Sequence, residues 1–129
     1  MPGDWLRDNE TLETAATRVL RARTGLEDIH LEQLQSFSST DRHPDDLTIT
    51  TAFCALIRPG DYQLAIGEDE LGVNKFPIGG TPMLIFDHDK ILEWALTRLR
   101  YKTQHEPIGL HLLPEKFTLL ELQRLYESI

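Results

Sequence analysis

Residues 3–26 have the sequence GDWLRDNETLETAATRVLRARTGL. Its apolar residues recur at helical spacing, which predicts a helix over residues 11–23 with one buried stripe. The stripe consists of Leu12, Ala15, Ala16, Val19 and Leu20. Asp8, Asn9 or Thr11 can cap the start of this helix, and Gly25 can end it because glycine tolerates left-handed backbone.

The composition is that of an acidic chain large enough for one domain. Its 129 residues include 13 Lys+Arg and 21 Asp+Glu, which gives a net charge of −8. This balance argues against nonspecific nucleic-acid binding by the whole chain, because such binding rests on neutralising phosphates. There is no apolar run of about 18 residues and no visible signal peptide, so we expect a cytoplasmic protein without membrane contact.

The sequence shows no pattern of a familiar catalytic or metal centre. The single cysteine, Cys54, excludes an internal disulfide, and its apolar surroundings favour a buried, inert thiol. No histidine pair has tight ligand spacing and no cysteine pair exists, so no structural zinc is expected. A nucleophile elbow and a phosphate-binding loop are also absent from the sequence.

The rest of the chain alternates between strand and helix patterns. Strands are predicted over residues 29–38 and 47–57, and a short strand is predicted from Gly72 to Pro77. A helix is predicted from Asp87 or His88 to about Thr103. A last helix opens at Thr118, where Thr118 and Glu121 form a capping box. This mixture predicts an α/β (α+β) fold with antiparallel or mixed pairing and helices on both faces.

Residues 3–26 resemble the Nudix box, which is a glycine, five residues, a glutamate, seven residues, then Arg-Glu-apolar-x-Glu-Glu-x-Gly-apolar. With Gly25-Leu26 aligned to the final pair, Arg18 takes the place of the signature arginine and Glu10 that of the first glutamate. The resemblance implies a Nudix-like α/β/α sandwich with a mixed sheet. In Nudix proteins the arginine orients the box glutamates through hydrogen bonds.

The later glutamates of the box are missing. Their places are taken by Val19, Ala22 and Arg23, and the leading glycine falls on Asp4. In the Nudix family these glutamates hold the magnesium that activates water, and apolar or cationic side chains supply no oxygen ligand for it. The resemblance therefore implies the Nudix shape with no catalytic residues and no metal site.

The resemblance extends beyond the box, over residues 37–42, 47–57, 84–89, 99–102 and, most specifically, 113–127 (LPEKFTLLELQRLYE). These segments resemble the Nudix-related transcriptional regulators, typified by repressors of NAD metabolism and relatives that control sugar use. In that family an impaired Nudix domain senses ADP-ribose or a similar phosphorylated ligand, a winged helix binds DNA, and the protein is a dimer.

Compared with that family, the box begins early in this chain and the last segment is followed by few residues. We therefore expect residues 1–105 to form a Nudix-homology domain truncated at the N-terminus, without the family's first strands. We expect residues 106–129 to be a linker and the first helix of a missing winged-helix domain. A dimer or strand exchange would cover the sheet edges that such a truncation leaves open.

The resemblance implies a ligand site drawn from several segments. Arg42, with its neighbour Asp41, is expected to hold a phosphate bidentately, the alternative being an exposed loop arginine. Asp87 and His88 open a helix, whose N-terminus can hold an anion. In the alternative interpretation Asp87 is only a helix cap.

Aromatic and box residues complete the expected site. Phe86 or Trp5 would stack on a base or ribose, the alternative for Phe86 being a place in the core. Glu10 and Arg18 would shape the mouth of the box helix. If Arg18 is only structural, we expect it to pair with Glu13 or Thr14, one turn back.

Three functions remain open. The first is a non-catalytic Nudix-like sensor of ADP-ribose or a related phosphorylated ligand, in a homodimeric regulator, with no DNA binding by this chain alone and no cofactor. The second is an active Nudix hydrolase of a nucleoside diphosphate derivative such as ADP-ribose. It would use magnesium held by other carboxylates, namely Glu13, Asp41, Asp45, Asp46 or Glu68. The third is a remnant that serves only in dimerisation through its last helix.

Overall fold

A computed structural model describes residues 1–40, 42, 47–58, 76–108 and 110–129 of the chain. Within these residues, three helices and two strands follow the order α1, β1, β2, α2, α3. Their bounds are Leu12–Thr24 for α1, Glu32–Phe37 for β1, Thr50–Cys54 for β2, His88–His105 for α2 and Leu119–Glu127 for α3. Short 3-10 turns occur at Ile78–Gly80 and Leu110–Leu112. The predicted mixed α/β class is confirmed.

Both ends of α1 are set by local sequence. Thr11 is the N-cap: its side chain accepts a hydrogen bond from the backbone N–H of Thr14, and the Thr14 side chain accepts one from the N–H of Thr11. Gly25 ends the helix in the left-handed conformation, with φ 72°, and its N–H donates to the carbonyl of Arg21. Beyond the cap, Leu26 is buried, so the end of the helix is fixed against the body of the protein.

β1 and β2 form an antiparallel hairpin that contains a bulge. Glu32 pairs with Cys54 at one end and Phe37 pairs with Thr50 at the other, and the register shifts by one residue between Gln33 and Ser36. Leu34 and Phe37 are three positions apart and would point to opposite faces of a regular strand. The extra residue places both on the same face, in agreement with their partial burial.

α2 carries one deeply buried side chain and one ion pair to the hairpin. Ile91, in its first turns, is 4% exposed and is the most deeply buried core side chain among the described residues. At the other end of the helix, the Lys102 ammonium donates to the Glu32 carboxylate at 2.6 Å, which connects α2 to β1. None of the described helices has the length and apolar character needed to cross a membrane.

α3 begins at the predicted capping box, in which Thr118 accepts from the N–H of Glu121 and Glu121 accepts from the N–H of Thr118. The Tyr126 hydroxyl donates to the carbonyl of Ile108 at 2.8 Å. Arg58, which follows β2, donates from Nε to the carbonyl of Leu112 at 3.0 Å and also contacts the carbonyl of Leu113. These bonds connect Ile108 to α3, and they connect Leu112 and Leu113 to the residue Arg58 that follows β2.

Some sequence expectations need correction. Both strands are shorter than predicted, because the described residues flanking Glu32–Phe37 and Thr50–Cys54 have no ladder partners. Residues 72–75 of the predicted third strand lie outside the described residues, while Phe76 and Pro77 are not in a strand. The sheet was expected to be mixed, and its described part is the antiparallel pair alone.

Candidate functional site

Arg42 and Asp87 form a buried ion pair. Arg42 donates from Nη2 to Asp87 Oδ1 at 3.0 Å and from Nε to the other carboxylate oxygen. The two side chains are only 7% and 10% exposed. The remaining terminal nitrogen of Arg42, Nη1, donates to the carbonyl of Phe37 at 2.6 Å and lies 3.4 Å from that of Thr48. The pair thus joins the loop end of the hairpin to the start of α2.

This geometry changes how two of the predicted site residues are interpreted. The alternative that Arg42 is an exposed loop arginine is wrong, because its guanidinium is buried and bonded on three nitrogens. Asp87 occupies the N-cap position of α2 but makes no side-chain cap hydrogen bond, because its carboxylate faces Arg42. Hydrogen bonding from Arg42 lowers the pKa of Asp87. The phosphate-binding role of Arg42 stays a prediction, and Asp41 lies outside the described residues.

Phe86 and His88 flank Asp87 and differ in exposure. Phe86 is 59% exposed and its backbone is left-handed, with φ 55°, so the alternative that it belongs to the core is wrong. Its ring lies edge-on to that of His88, with 6.0 Å between ring centroids. His88 Nδ1 is buried and has no hydrogen-bond partner among the described residues. Burial lowers the pKa of His88, and the nearby N-terminal amino group contributes in the same direction.

Arg18 is the centre of a second cluster, in front of the box helix. Its Nε donates to Glu10 Oε1 at 2.7 Å, its Nη2 donates to Glu10 Oε2 at 3.0 Å, and its Nη1 donates to Asp4 Oδ2 at 2.7 Å. The expected pairing with Glu13 or Thr14 is therefore wrong. Hydrogen bonds from Arg18 lower the pKa of Glu10 to about 2, and the separate hydrogen bond from Arg18 to Asp4 lowers the pKa of Asp4.

An open groove of about 680 Å³ runs along the same helix. It is lined by Glu13, Thr14, Thr17, Arg18, Arg21 and Ala22. Ala22 stands where a Nudix box has a glutamate, and the carboxylate of Glu10 is already bonded to Arg18. Magnesium requires several oxygen ligands, and this donor set does not fit it. Within the described ranges no group of three His, Cys, Asp or Glu could hold a metal ion.

The predicted residues thus gather in two clusters, one around Arg42 and Asp87 and one around Arg18 and Glu10. Sequence reasoning named both pairs but did not predict that their members bind each other. It also missed Asp4 as a partner of Arg18, although an acidic residue at the glycine position of the box was a visible departure. Trp5 is exposed, and its carbonyl accepts from Arg18 at 3.1 Å.

Comparison with known proteins gives concordant results. Residues 109–129 match the family described as the NrtR DNA-binding winged helix domain. The whole chain is 33% identical to the ADPR responsive transcriptional repressor NtrR of Acinetobacter baylyi, over 53% of that protein. Over 72% of its length the chain is 32% identical to the ADP-ribose pyrophosphatase of Methanocaldococcus jannaschii, over 54% of that protein. The chain therefore spans about half the length of these curated relatives.

Solved structures show the same similarity. Shewanella oneidensis NrtR superposes with a TM-score of 0.82 at 29% identity, over 98% of this chain and 61% of that one. Its complex with a 27mer DNA matches with a TM-score of 0.82 at 28% identity, over 98% and 59%. A mutT/nudix family protein from Listeria innocua matches with a TM-score of 0.66 at 30% identity, over 80% and 68%.

Proposed function

We propose that this chain is the ligand-sensing part of a transcriptional regulator, because it is homologous to the Nudix-related transcriptional regulators of the NrtR type. The ligand would be ADP-ribose or a related phosphorylated nucleotide sugar, bound without hydrolysis. Residues 1–105 would form the Nudix-homology domain and residues 106–129 the linker and first helix of the DNA-binding half. The regulator would be a cytoplasmic homodimer that acts on genes of NAD metabolism, and this chain alone would not bind DNA.

The observation that carries the proposal is the chemistry of the box helix. Val19, Ala22 and Arg23 replace its three later glutamates, while the glycine that ends it keeps the left-handed conformation the turn needs. The helix therefore keeps its shape without ligands for magnesium. A site of this kind can use binding energy to shift a conformational equilibrium instead of lowering a barrier.

The second cluster suggests how a phosphate would be recognised. Arg42 has its guanidinium in place beside the N-terminus of α2, but its carboxylate partner Asp87 occupies two of its nitrogens. A phosphate that binds Arg42 would have to displace or share that carboxylate. Phe86, exposed next to this pair, offers an aromatic face for the base or ribose.

Isothermal titration of ADP-ribose into the chain, with magnesium and then with EDTA, tests the proposal. We expect one saturable isotherm with equal affinity in both buffers and no continuing heat of turnover. Absence of binding in both would contradict a sensor role for this chain.

Phe86→Ala examines the stacking contact within the same site. Stacking of a base on an aromatic ring contributes about 1–3 kcal/mol, so we expect roughly tenfold weaker binding. Met83→Ala is the matched control, because Met83 is 93% exposed three residues earlier on the same segment. Equal affinity of both variants would remove Phe86 from the site.

The similarity to an ADP-ribose pyrophosphatase supports a second candidate, an active hydrolase. Its carboxylates would have to come from outside the three replaced box positions. Glu13 lines the groove of the box helix, while Asp41, Asp45, Asp46 and Glu68 lie outside the described residues. Magnesium-dependent release of AMP and ribose phosphate, abolished by EDTA, would favour this candidate over the sensor.

A further inference from the structure

A second cavity, of about 630 Å³, lies between the hairpin, α2 and the 3-10 turn Leu110–Leu112. Its volume is within the range of small-molecule sites, about 300–1,000 Å³. The wall is mainly aliphatic and includes Leu34, Leu56, Ile57, Leu96, Leu99 and Leu112. None of the described residues expected to bind a nucleotide lines this cavity, so it is separate from the site proposed above.

The charged residues of the cavity have a sign opposite to that of the whole chain. Among the described residues, three cations and two acids line it, a balance of +1, whereas the chain carries −8. They are Asp28, Glu32, Arg58, Arg98 and Lys102. The local excess of positive charge favours an anion over a neutral or cationic occupant.

The three cations are not equally available. Lys102 is paired with Glu32 at 2.6 Å and with Glu106 at 3.6 Å, and Arg58 donates to backbone carbonyls. Arg98 contacts the ring of Tyr101, with 6.0 Å from the guanidinium carbon to the ring centroid. Within the described part of the chain, Arg98 has no acidic partner, which leaves it as the cation for a ligand.

We infer that this cavity binds a monoanionic amphiphile, a carboxylate carried on an apolar body, with the carboxylate on Arg98. The aliphatic wall would bury the body of the ligand, because removing apolar surface from water is favourable. A single negative charge fits better than a diphosphate, because Asp28 and Glu32 in the same lining would repel further negative charge.

The position of the cavity gives its occupant a route to the DNA-binding half. Leu112 belongs to the cavity wall and also to residues 109–129, which match the winged-helix family. Arg58 of the wall donates to the carbonyls of Leu112 and Leu113. An occupant would therefore contact both the hairpin and the winged-helix segment. Any effect of the occupant on DNA binding rests on the proposed function, whereas the binding of the occupant to the cavity does not.

Cys54 provides a direct readout, because it is the only cysteine of the chain and it lines the cavity. Burial raises the pKa of this thiol, the charge of Glu32 acts in the same direction, and the positive charges of Lys102 and Arg98 act in the opposite direction. Decanoate is the probe, and the rate of maleimide labelling at Cys54 is followed at fixed pH. We expect decanoate to slow the labelling of the intact chain saturably.

Two variants that remove one positive charge from α2 test the anion contact. Arg98→Gln should raise the half-protecting concentration of decanoate by about tenfold, as expected for loss of a charge-assisted hydrogen bond. Lys90→Gln is the matched control, since Lys90 is an exposed cation on the same helix that does not line the cavity. Its protection curve should follow that of the unmodified chain.

Filling the cavity gives a second, independent variant. Ala95→Leu adds three carbons to its wall and keeps good helix propensity, so it should abolish protection while the helical circular dichroism signal is retained. Unsaturable or absent protection in the original chain would overturn the inference. Equal protection of Arg98→Gln and Lys90→Gln would overturn the carboxylate contact.

ADP-ribose separates this inference from the proposed function. It should bind, by titration, without slowing the labelling of Cys54. Protection of Cys54 by ADP-ribose at its binding concentration would assign the cavity to the nucleotide and overturn the amphiphile site. Decanoate protection in a chain that does not bind ADP-ribose would leave this inference standing and contradict the sensor proposal alone.

Discussion

Arg42 and Asp87, separated by 45 positions in the sequence, face each other with two guanidinium nitrogens on one carboxylate. The same guanidinium bonds the carbonyl of Phe37, the last residue of β1. This contact joins the loop between the strands to the first turn of α2. Few apolar side chains are buried in the described part of the chain, so we expect this buried ion pair to contribute much of the stability of the tertiary structure.

Loss of this pair should destabilise the fold. Removing one partner of a buried pair leaves an uncompensated charge, so we expect Arg42→Met to lower the free energy of unfolding by about 3–5 kcal/mol in urea denaturation. Arg21→Met is the control, because Arg21 pairs with Glu27 at 2.6 Å while their side chains are 70% and 54% exposed. It should change stability by no more than about 0.5 kcal/mol. Similar losses of unfolding free energy in both variants would contradict the prediction that the buried Arg42–Asp87 pair stabilises the fold.

Stability should also fall in acid through Glu10. Its pKa is lowered to about 2 from the ordinary 4.5, so its contribution is present above about pH 4.5 and is lost as the pH falls toward 2. A carbon-13 NMR titration should show the Glu10 carboxyl titrating near pH 2. In Arg18→Gln the pKa should return toward 4.5, because the hydrogen bond from Arg18 is the main cause of the shift. An unchanged titration in that variant would exclude Arg18 as the cause.

The residue that ends the box helix should tolerate few substitutions. Gly25 has φ 72°, a conformation that costs a side-chain-bearing residue roughly 1 kcal/mol. We expect Gly25→Ala to lower the melting temperature, and Gly25→Asn to lower it less, since asparagine enters the left-handed region more readily. Thermal melts of the two variants make the comparison, and equal melting temperatures would contradict the strain argument.

The cap of α3 can be tested in the same way. Thr118→Ala removes the hydroxyl that accepts from the N–H of Glu121, at a cost of about 1 kcal/mol. Thr118→Ser keeps an equivalent hydroxyl and should preserve the helix. The measurement is the helical circular dichroism signal during a thermal melt, in which Thr118→Ala should lose its helical signal at a lower temperature than Thr118→Ser.

The sequence predicts the elements whose signals are local. α1 begins and ends, and α3 begins, where their caps indicate, because a cap depends on residues within one turn. The strands end earlier than predicted: residues 47–49 and 55–57 have strand-forming composition, but a strand also needs a neighbour to pair with.

The partners of the site residues could not be derived from spacing along the chain. Arg42 and Asp87 were each expected to receive an anion or to cap a helix, and the fold brings them together so that each serves the other. The pairing of Arg18 with Asp4 spans 14 positions and depends on how the segment before the helix folds back. The second cavity is formed where three segments of the chain pack together, so no single sequence motif predicts it.

The bulge in β1 sets the register in which the second half of that strand pairs with β2. If the same residues paired with β2 in a regular ladder, without the bulge, Phe37 would turn to the other face of the hairpin. The carbonyl and ring that Arg42 contacts would move with it. A one-residue slip in the pairing of this strand, distant in sequence from Asp87, would therefore disturb the contact of Arg42 with the start of α2, so the register of the strand is constrained as closely as its composition.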